Sequence, residues 1–293
     1  MSDDGVFEDL REHAFRVAYQ MVGSAADADD LVQETWIRWH RTDQQSIRSP
    51  RAWITTVVTR LAMNHLASAR VRREQYVGTW LPEPIPTNPG GFATGTAELN
   101  RSLSVAFMFL LESLSPKERA VLLLHGVFGL PHAEVADVVD VTEAASRKLL
   151  QRARVQLRAR RPRFEATADT RRRLLESFRA ASQDGDLDRL AGLLAADVVA
   201  HSDGGGRARA ALRPIYGRDR VARFVRGAVE KFVPDGVESR ITSMNGEPAL
   251  VASVHGTVLS VISVEVSDNL IQSLFIVTNP DKLRAVTMPV SPV

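Results

Sequence analysis

The stretch YVGTWLPEPIPTNPGGFATGTAEL, residues 76–99, most constrains this chain. Pro82, Pro84, Pro86 and Pro89 are followed by Gly90-Gly91. Proline removes a backbone donor and clashes with the preceding turn, so no helix interior runs through this segment. The chain on either side must fold in separate pieces, and residues 76–100 are expected to be a linker. A flexible spacer should be polar. Trp80, Leu81 and Ile85 are apolar, so the linker is expected to dock.

Upstream, the pattern is helical. Phe7, Leu10, Ala14, Val17, Ala18 and Met21 recur at three- and four-residue spacing and make one apolar stripe. Gly23 is placed to end that helix and Ser24 to cap the next, DADDLVQETWIRWH, whose apolar side is Leu31, Val32, Thr35 and Trp36. Ser49-Pro50 opens a third helix marked by Trp53, Ile54, Val57, Val58, Leu61 and Leu66. Trp36 and Trp53 are expected in the core. Downstream, a helix is expected at about 98–113. Ser115-Pro116-Lys117-Glu118 reads as a capping box opening another.

Residues 168–293 change character. Helices are expected near 169–183, 187–195 and 217–232. Strands are expected at VVAHSD and near 237–243, 249–255, 257–266 and 270–278. Helices followed by antiparallel strands make an α+β pattern. At 293 residues, two or three domains fit better than one. The expected division is 1–75, a linker at 76–100, 101–163 and 168–293.

Composition enters through what it excludes. The absence of cysteine rules out disulfides and thiolate metal sites, and no metal or cofactor is expected. No apolar run reaches the length of a membrane span. The N-terminus MSDDGVFEDL lacks a signal peptide's apolar region, so the expected location is cytoplasmic. The net charge of +2 hides a segregation. Residues 1–45 hold ten acidic and four basic side chains, residues 46–75 six basic and one acidic, and residues 144–163 eight basic and none acidic. Sorted charge of this kind suits phosphates on one face and a basic protein on another.

Two constellations carry function. Residues 131–160 read as a short helix, a three-residue turn at Asp140-Val141-Thr142, and a longer basic helix: a helix-turn-helix. Ala133, Val135, Ala136 and Val139 face inward from the first helix, and Ala144, Leu149, Leu150, Ala153 and Leu157 from the second. Arg147, Lys148, Gln151, Arg152 and Arg154 face largely outward, where Arg and Lys reach guanine edges or phosphates and Gln reads adenine. An amphipathic helix pair in a bundle is the plainer alternative. In the second constellation, Asp27, Asp30 and Glu34 line one helix face, while the next helix carries Trp53, Thr55, Thr56, Arg60, Asn64 and Arg70. Arginines interleaved with an aromatic and small polar groups suit melted nucleic acid.

DADDLVQETW, followed by SPRAWITTVVTRLAMNHLASARVRRE, closely resembles region 2 of extracytoplasmic-function (ECF) sigma factors. SLSPKERAVLLLHGVFGLPHAEVADVVDVTEAASRKLLQRARVQL resembles their region 4. Trp80-Leu81-Pro82-Glu83-Pro84, Asp203-Gly204-Gly205-Gly206 and Asn279-Pro280-Asp281-Lys282-Leu283 resemble the signatures of the subgroup with a fused SnoaL-like C-terminal domain. Arg207 departs from that pattern, where lysine commonly follows the glycines. The implied architecture is two all-α sigma domains followed by an α+β, cone-shaped domain.

The resemblance implies no enzyme but a factor that lends core RNA polymerase its promoter specificity. Asp27, Asp30, Gln33 and Glu34 are implied to bind core polymerase. Thr56, Arg60, Asn64 and Arg70 are implied at the melted −10 element, with one base flipped into a pocket. Ser146, Arg147, Lys148, Gln151, Arg152 and Arg154 are implied at the −35 duplex. The three signature strings are expected to meet and make the last domain a built-in regulator. The linker reaches at most ~80 Å extended and averages ~25–30 Å as a coil. The promoter elements lie ~70 Å apart. Free in solution, regions 2 and 4 are therefore expected to be pulled together.

A competing expectation makes the last domain a pocket for a small-molecule effector, or an isomerase-like site built from His201, Asp203, Tyr216 and His255. A DNA-binding regulator that never meets polymerase is a third reading. It leaves the acidic second helix unexplained.

Overall fold

Phe7, Ala14, Val17, Ala18 and Met21 are all buried along one side of α1 (Asp3–Val22). The helix ends where Gly23 takes a φ of 74°, and the Ser24 hydroxyl accepts from the Asp27 amide to cap α2 (Ala25–Arg41). α3 (Pro50–Glu74) follows with proline in its first position. In this computed structural model, residues 3–74, 76–87, 102–158 and 166–286 are described, and the chain divides into two compact units. The first comprises the described residues of 1–75, 94–103 and 107–161.

The rest of the first unit is α4 (Val105–Leu111) from residue 107 onward, α5 (Pro116–Gly126), α6 (His132–Val139) and α7 (Glu143–Arg158). α4 is shorter than the helix expected at 98–113. Residues 102–104 form a turn in which Ser102 accepts a 2.5 Å bond from the buried Gln20 amide, and 98–101 lie outside the described residues. α5 starts on a complete capping box, the Ser115 hydroxyl accepting from the Glu118 amide and the Glu118 carboxylate accepting from Ser115. α6 stops at Asp140, whose φ of 54° is left-handed and turns the chain into α7.

Three sequence expectations fail here for one reason: a helix buries one narrow stripe. Trp36 is 42% exposed, its ring against His40, because the stripe Ala28, Leu31, Val32, Thr35 and Trp39 passes beside it. Trp39 takes the core position and meets the half-buried Trp53 edge-on. Ala133 and Ala144 are exposed, and Val138 fills the place expected for the first.

The two segments that resemble regions 2 and 4 pack together within this unit. α5 contacts α1 and α3, and α6 contacts α3. The guanidinium of Arg119, 3% exposed, donates to the carbonyls of Met21 (2.6 Å) and Leu111 (2.7 Å) and to the Glu112 carboxylate. Arg60 donates to the carbonyls of Val138 (3.0 Å) and Asp137 (2.7 Å) at the C-terminal end of α6. Cations at helix C-termini oppose the helix dipole favourably.

The second unit comprises the described residues of 76–93, 104–106 and 162–293. Its elements are α8 (Ala168–Asp184), α9 (Leu187–Leu193), β1 (Leu194–Asp203), β2 (Ile215–Tyr216), α10 (Arg218–Phe232), β3 (Glu238–Met244), β4 (Glu247–Val254), β5 (Thr257–Ser267), β6 (Leu270–Val277) and α11 (Pro280–Leu283). The sheet order is β2-β1-β6-β5-β4-β3. It is mixed rather than wholly antiparallel, because β1 lies parallel to β6. Leu175, Phe178, Leu190, Val198, Val221, Leu250, Val264 and Leu274 fill the space between helices and sheet. This is the α+β layout expected from the resemblance to a SnoaL-like domain.

A half-buried histidine in each unit predicts acid lability. Burial, then Arg51 and Arg16, lowers His13 to about 4, and burial lowers His201 to about 4. Both folded values lie below the ordinary 6.5. The stabilisation is therefore complete above pH 6.5 and is lost as pH falls from there towards 4. Each contributes about 2 kcal/mol of loss by pH 5. Thermal melts should show both units weakening between pH 7 and 5; equal melting temperatures at those pH values would contradict this.

Candidate functional site

The Asp203 carboxylate, at the end of β1, is fully buried and organises the site. Oδ1 accepts from the Tyr76 hydroxyl (2.6 Å) and the Gly205 amide (3.0 Å). Oδ2 accepts from the Leu81 amide (2.8 Å) and the Lys282 ammonium (2.7 Å). Four donors satisfy a carboxylate's acceptor capacity. The same ammonium donates to the Leu81 carbonyl and lies 4.1 Å from the Trp80 ring centre and 5.2 Å from that of Tyr76. A buried lysine paired in this way is held by charge, a carbonyl and two aromatic faces. Burial, then the bond to Asp203, pushes the Tyr76 phenol well above its usual range.

The glycines after Asp203 have steric reasons. A Cβ on Gly205 would sit 2.2 Å from Asn279 Nδ2, and the residue's φ is 59°. A Cβ on Gly204 would meet the Ala208 carbonyl oxygen at 2.3 Å, and one on Gly206 would press Val77 at 3.2 Å. Only glycine lets the backbone approach this closely. Asn279 caps α11 through the Asp281 amide and donates to the Tyr76 hydroxyl, while Pro280 takes the first helical position. Leu283 is buried. On the surface, Arg207 donates to both oxygens of Asp281 at 2.6 Å, so the arginine keeps a role at the lysine's usual place.

Residues 76–87 thus form a strap. Leu81, Pro82, Glu83, Pro84 and Ile85 are buried. Beyond them, Ile85 and Asn245 exchange hydrogen bonds, Pro86 bridges Met244, and the Thr87 amide donates to the Ser243 carbonyl. The strap therefore runs from the end of β1 to the β3–β4 turn. The three signature strings come together here. Tyr76, Asn245, Thr87 and Ser243 were missed, although an aromatic at the linker's first position was an available signal.

On α2, Asp30 and Gln33 are exposed, Asp27 lies 3.4 Å from His65, and Glu34 pairs with Arg38. On α3, Asn64 is exposed and the Thr56 hydroxyl donates to the Ala52 carbonyl. Arg60 is engaged by α6, as described above. The side chain of Arg70 lies outside the described residues. On α7, Arg147, Lys148, Gln151, Arg152 and Arg154 are exposed; Arg147 pairs with Glu143 and Arg152 with Glu118. Ser146 corrects the expected set. It is fully buried, its hydroxyl 2.9 Å from His132 Nδ1, so it joins α6 to α7 and does not face DNA.

The isomerase-like expectation is also corrected. The oxygens of Asp203 are taken, His201 stacks on Phe275, and Tyr216 is exposed on edge strand β2. His255 is exposed in the β4–β5 turn, beyond β1 and β6 from Tyr216. Among the described residues, no cluster of three or more His, Asp or Glu side chains is arranged to hold a metal, and no helix is long and apolar enough to cross a membrane.

Residues 6–72 match Sigma-70 region 2 and residues 104–157 match Sigma-70 region 4. The ECF RNA polymerase sigma factor SigJ of Mycobacterium tuberculosis (strain ATCC 25618 / H37Rv) is 39% identical over 289 residues, covering 94% of this chain and 91% of SigJ. The probable ECF RNA polymerase sigma factor SigI of Mycobacterium tuberculosis (strain CDC 1551 / Oshkosh) is 28% identical over 285 residues, 94% of this chain and 93% of SigI. The crystal structure of Mycobacterium tuberculosis SigJ matches with a TM-score of 0.77 at 35% identity, covering 98% of this chain and 99% of that one. Sigma regions 2 and 4 imply binding to core RNA polymerase and promoter DNA. The chain belongs to the ECF RNA polymerase sigma factors, which are transcription initiation factors and not enzymes.

Proposed function

We propose that this sigma factor is governed by its own C-terminal domain, through the strap that Asp203 holds. Asp27, Asp30, Gln33 and Glu34 form the surface for the polymerase, where acidic groups suit a basic partner. Thr56, Arg60, Asn64 and Arg70 serve the melted −10 strand. Arg147, Lys148, Gln151, Arg152 and Arg154 serve the −35 duplex. The protein works in the cytoplasm, where core polymerase and promoter DNA are found.

The supporting observation is that the strap is part of the segment joining the two promoter-binding regions. With residues 76–87 fixed on the C-terminal domain, that part of the linker cannot adjust its course, and the fourteen residues 88–101 contribute at most roughly 46 Å at about 3.3 Å per residue. The two regions are then tied to that domain when they must take up the ~70 Å spacing of the promoter elements. Strap docking and two-site engagement therefore oppose each other, and release of the strap favours initiation.

Transcription by purified core polymerase tests this, comparing the full chain with Trp80→Ala. Losing the ring over Lys282 removes a contact of about 0.5–2 kcal/mol. Promoter output is expected to change several-fold while the melting profile of the sigma unit stays constant. Identical output from both chains would refute the regulatory role.

A further inference from the structure

We propose that the stacked imidazoles of His125 and His132 position the recognition helix α7 and make its grip on the −35 duplex acid-sensitive. This rests on reading region 4 as the −35 reader. His125 lies in the last turn of α5, and its Nδ1 donates to the Leu130 carbonyl at 2.8 Å. His132 opens α6, and its Nδ1 meets the buried Ser146 hydroxyl at 2.9 Å. The two ring centres are 4.0 Å apart, with planes inclined by 19°. A continuous chain of contacts therefore runs from the loop before α6, through both rings, to the first turn of α7.

Two neutral imidazoles stack, but two imidazolium ions at this separation repel. His132 sits at the N-terminal end of α6, where a cation is disfavoured. The groups facing His132 are His125 from α5 and Arg147, Glu143 and Arg154 from α7. Burial, then His125 and Arg147, lowers its proton affinity, Glu143 opposes this, and Arg154 adds to the lowering. The neutral form is thus the one the fold holds. The anchor is intact above about pH 6.5 and fails as pH falls below it. Protonation of His132 places a cation against the His125 ring, Arg147 and the N-terminal end of α6, and turns Nδ1 from acceptor to donor, so the contact with Ser146 must rearrange. Non-specific DNA binding moves the opposite way, because added positive charge strengthens phosphate contacts.

The test uses the full chain and a duplex selected once from a random pool for binding at pH 7.5. Anisotropy titrations then run from pH 7.5 to 5.5 at fixed ionic strength, within the range where circular dichroism shows the fold unchanged. The native chain is expected to lose affinity several-fold towards the acid end of that range, less than the roughly tenfold of an unshifted imidazole, because the proton affinity of His132 is lowered. His132→Gln keeps a partner for Ser146 but cannot take a proton. It should bind within about threefold of the native chain at pH 7.5 and show a flat profile. Ser146→Ala should weaken binding at every pH without flattening the curve. A flat profile for the native chain, or an acid loss that His132→Gln shares in full, overturns the proposal.

Discussion

Replacing Asp203 with alanine is expected to release the strap and destabilise the C-terminal unit by about 3–5 kcal/mol. The change strands a buried ammonium and removes the acceptor for the Tyr76 hydroxyl and for the Leu81 and Gly205 amides. The loss comes from uncompensated burial, since replacing a whole buried pair with apolar groups of similar volume is often nearly neutral. A double variant, Asp203→Leu with Lys282→Met, should therefore recover much of what either single change loses. It would still not restore the bonds to Tyr76 and Leu81. The strap should then remain loose in a unit that melts almost normally. Chymotryptic cleavage at Tyr76 and Trp80 reads strap release, and thermal melting reads stability. If Asp203→Ala leaves both unchanged, the carboxylate does not hold the strap.

How much of this was legible depends on the range of each interaction. The Ser24 cap, the Ser115–Glu118 box and the left-handed Asp140 are local, and their residues announce them. The strings around Trp80, Asp203 and Lys282 stood out as well, yet their physical content did not. Gly205 is required because Asn279, far along the chain, lies against it, and no turn rule contains that contact. Ser146 misled because its place on α7 did not reveal that it faces His132. Trp36 and Trp39 are three residues apart on an amphipathic helix, and the choice between them depends on where α1 and α3 lie. The parallel pairing of β1 with β6, and the buried role of Arg119 within an ordinary SPKER string, are likewise products of distant chain segments.

Arg119→Ala is expected to loosen the packing of region 4 against region 2, at a loss of about 3–5 kcal/mol. The guanidinium joins Met21, at the end of α1, to Leu111 and Glu112, at the end of α4. Alanine would leave buried carbonyls without donors and Glu112 without its ion pair. Arg119→Lys keeps the charge but not the fork, so it should fall between the two. At this size a loss of 3–5 kcal/mol lowers the melting temperature by roughly 10–15 °C. The functional consequence lies at Arg60, which donates through Nε and Nη2 to the carbonyls of α6 while the two regions are packed. Under the proposed role of Arg60 at the −10 strand, these two donors are not available to DNA in the packed form, and promoter engagement is expected to part the regions. The chain has no cysteine, which allows paired labels to be introduced at Asp29 and Val155, both exposed on their helices and outside the proposed DNA-binding sets. Energy transfer between those labels should fall in Arg119→Ala and fall further when promoter DNA and core polymerase are added. Transfer that stays constant through both steps would mean that Arg119 does not hold the regions together and that Arg60 is not freed by their separation.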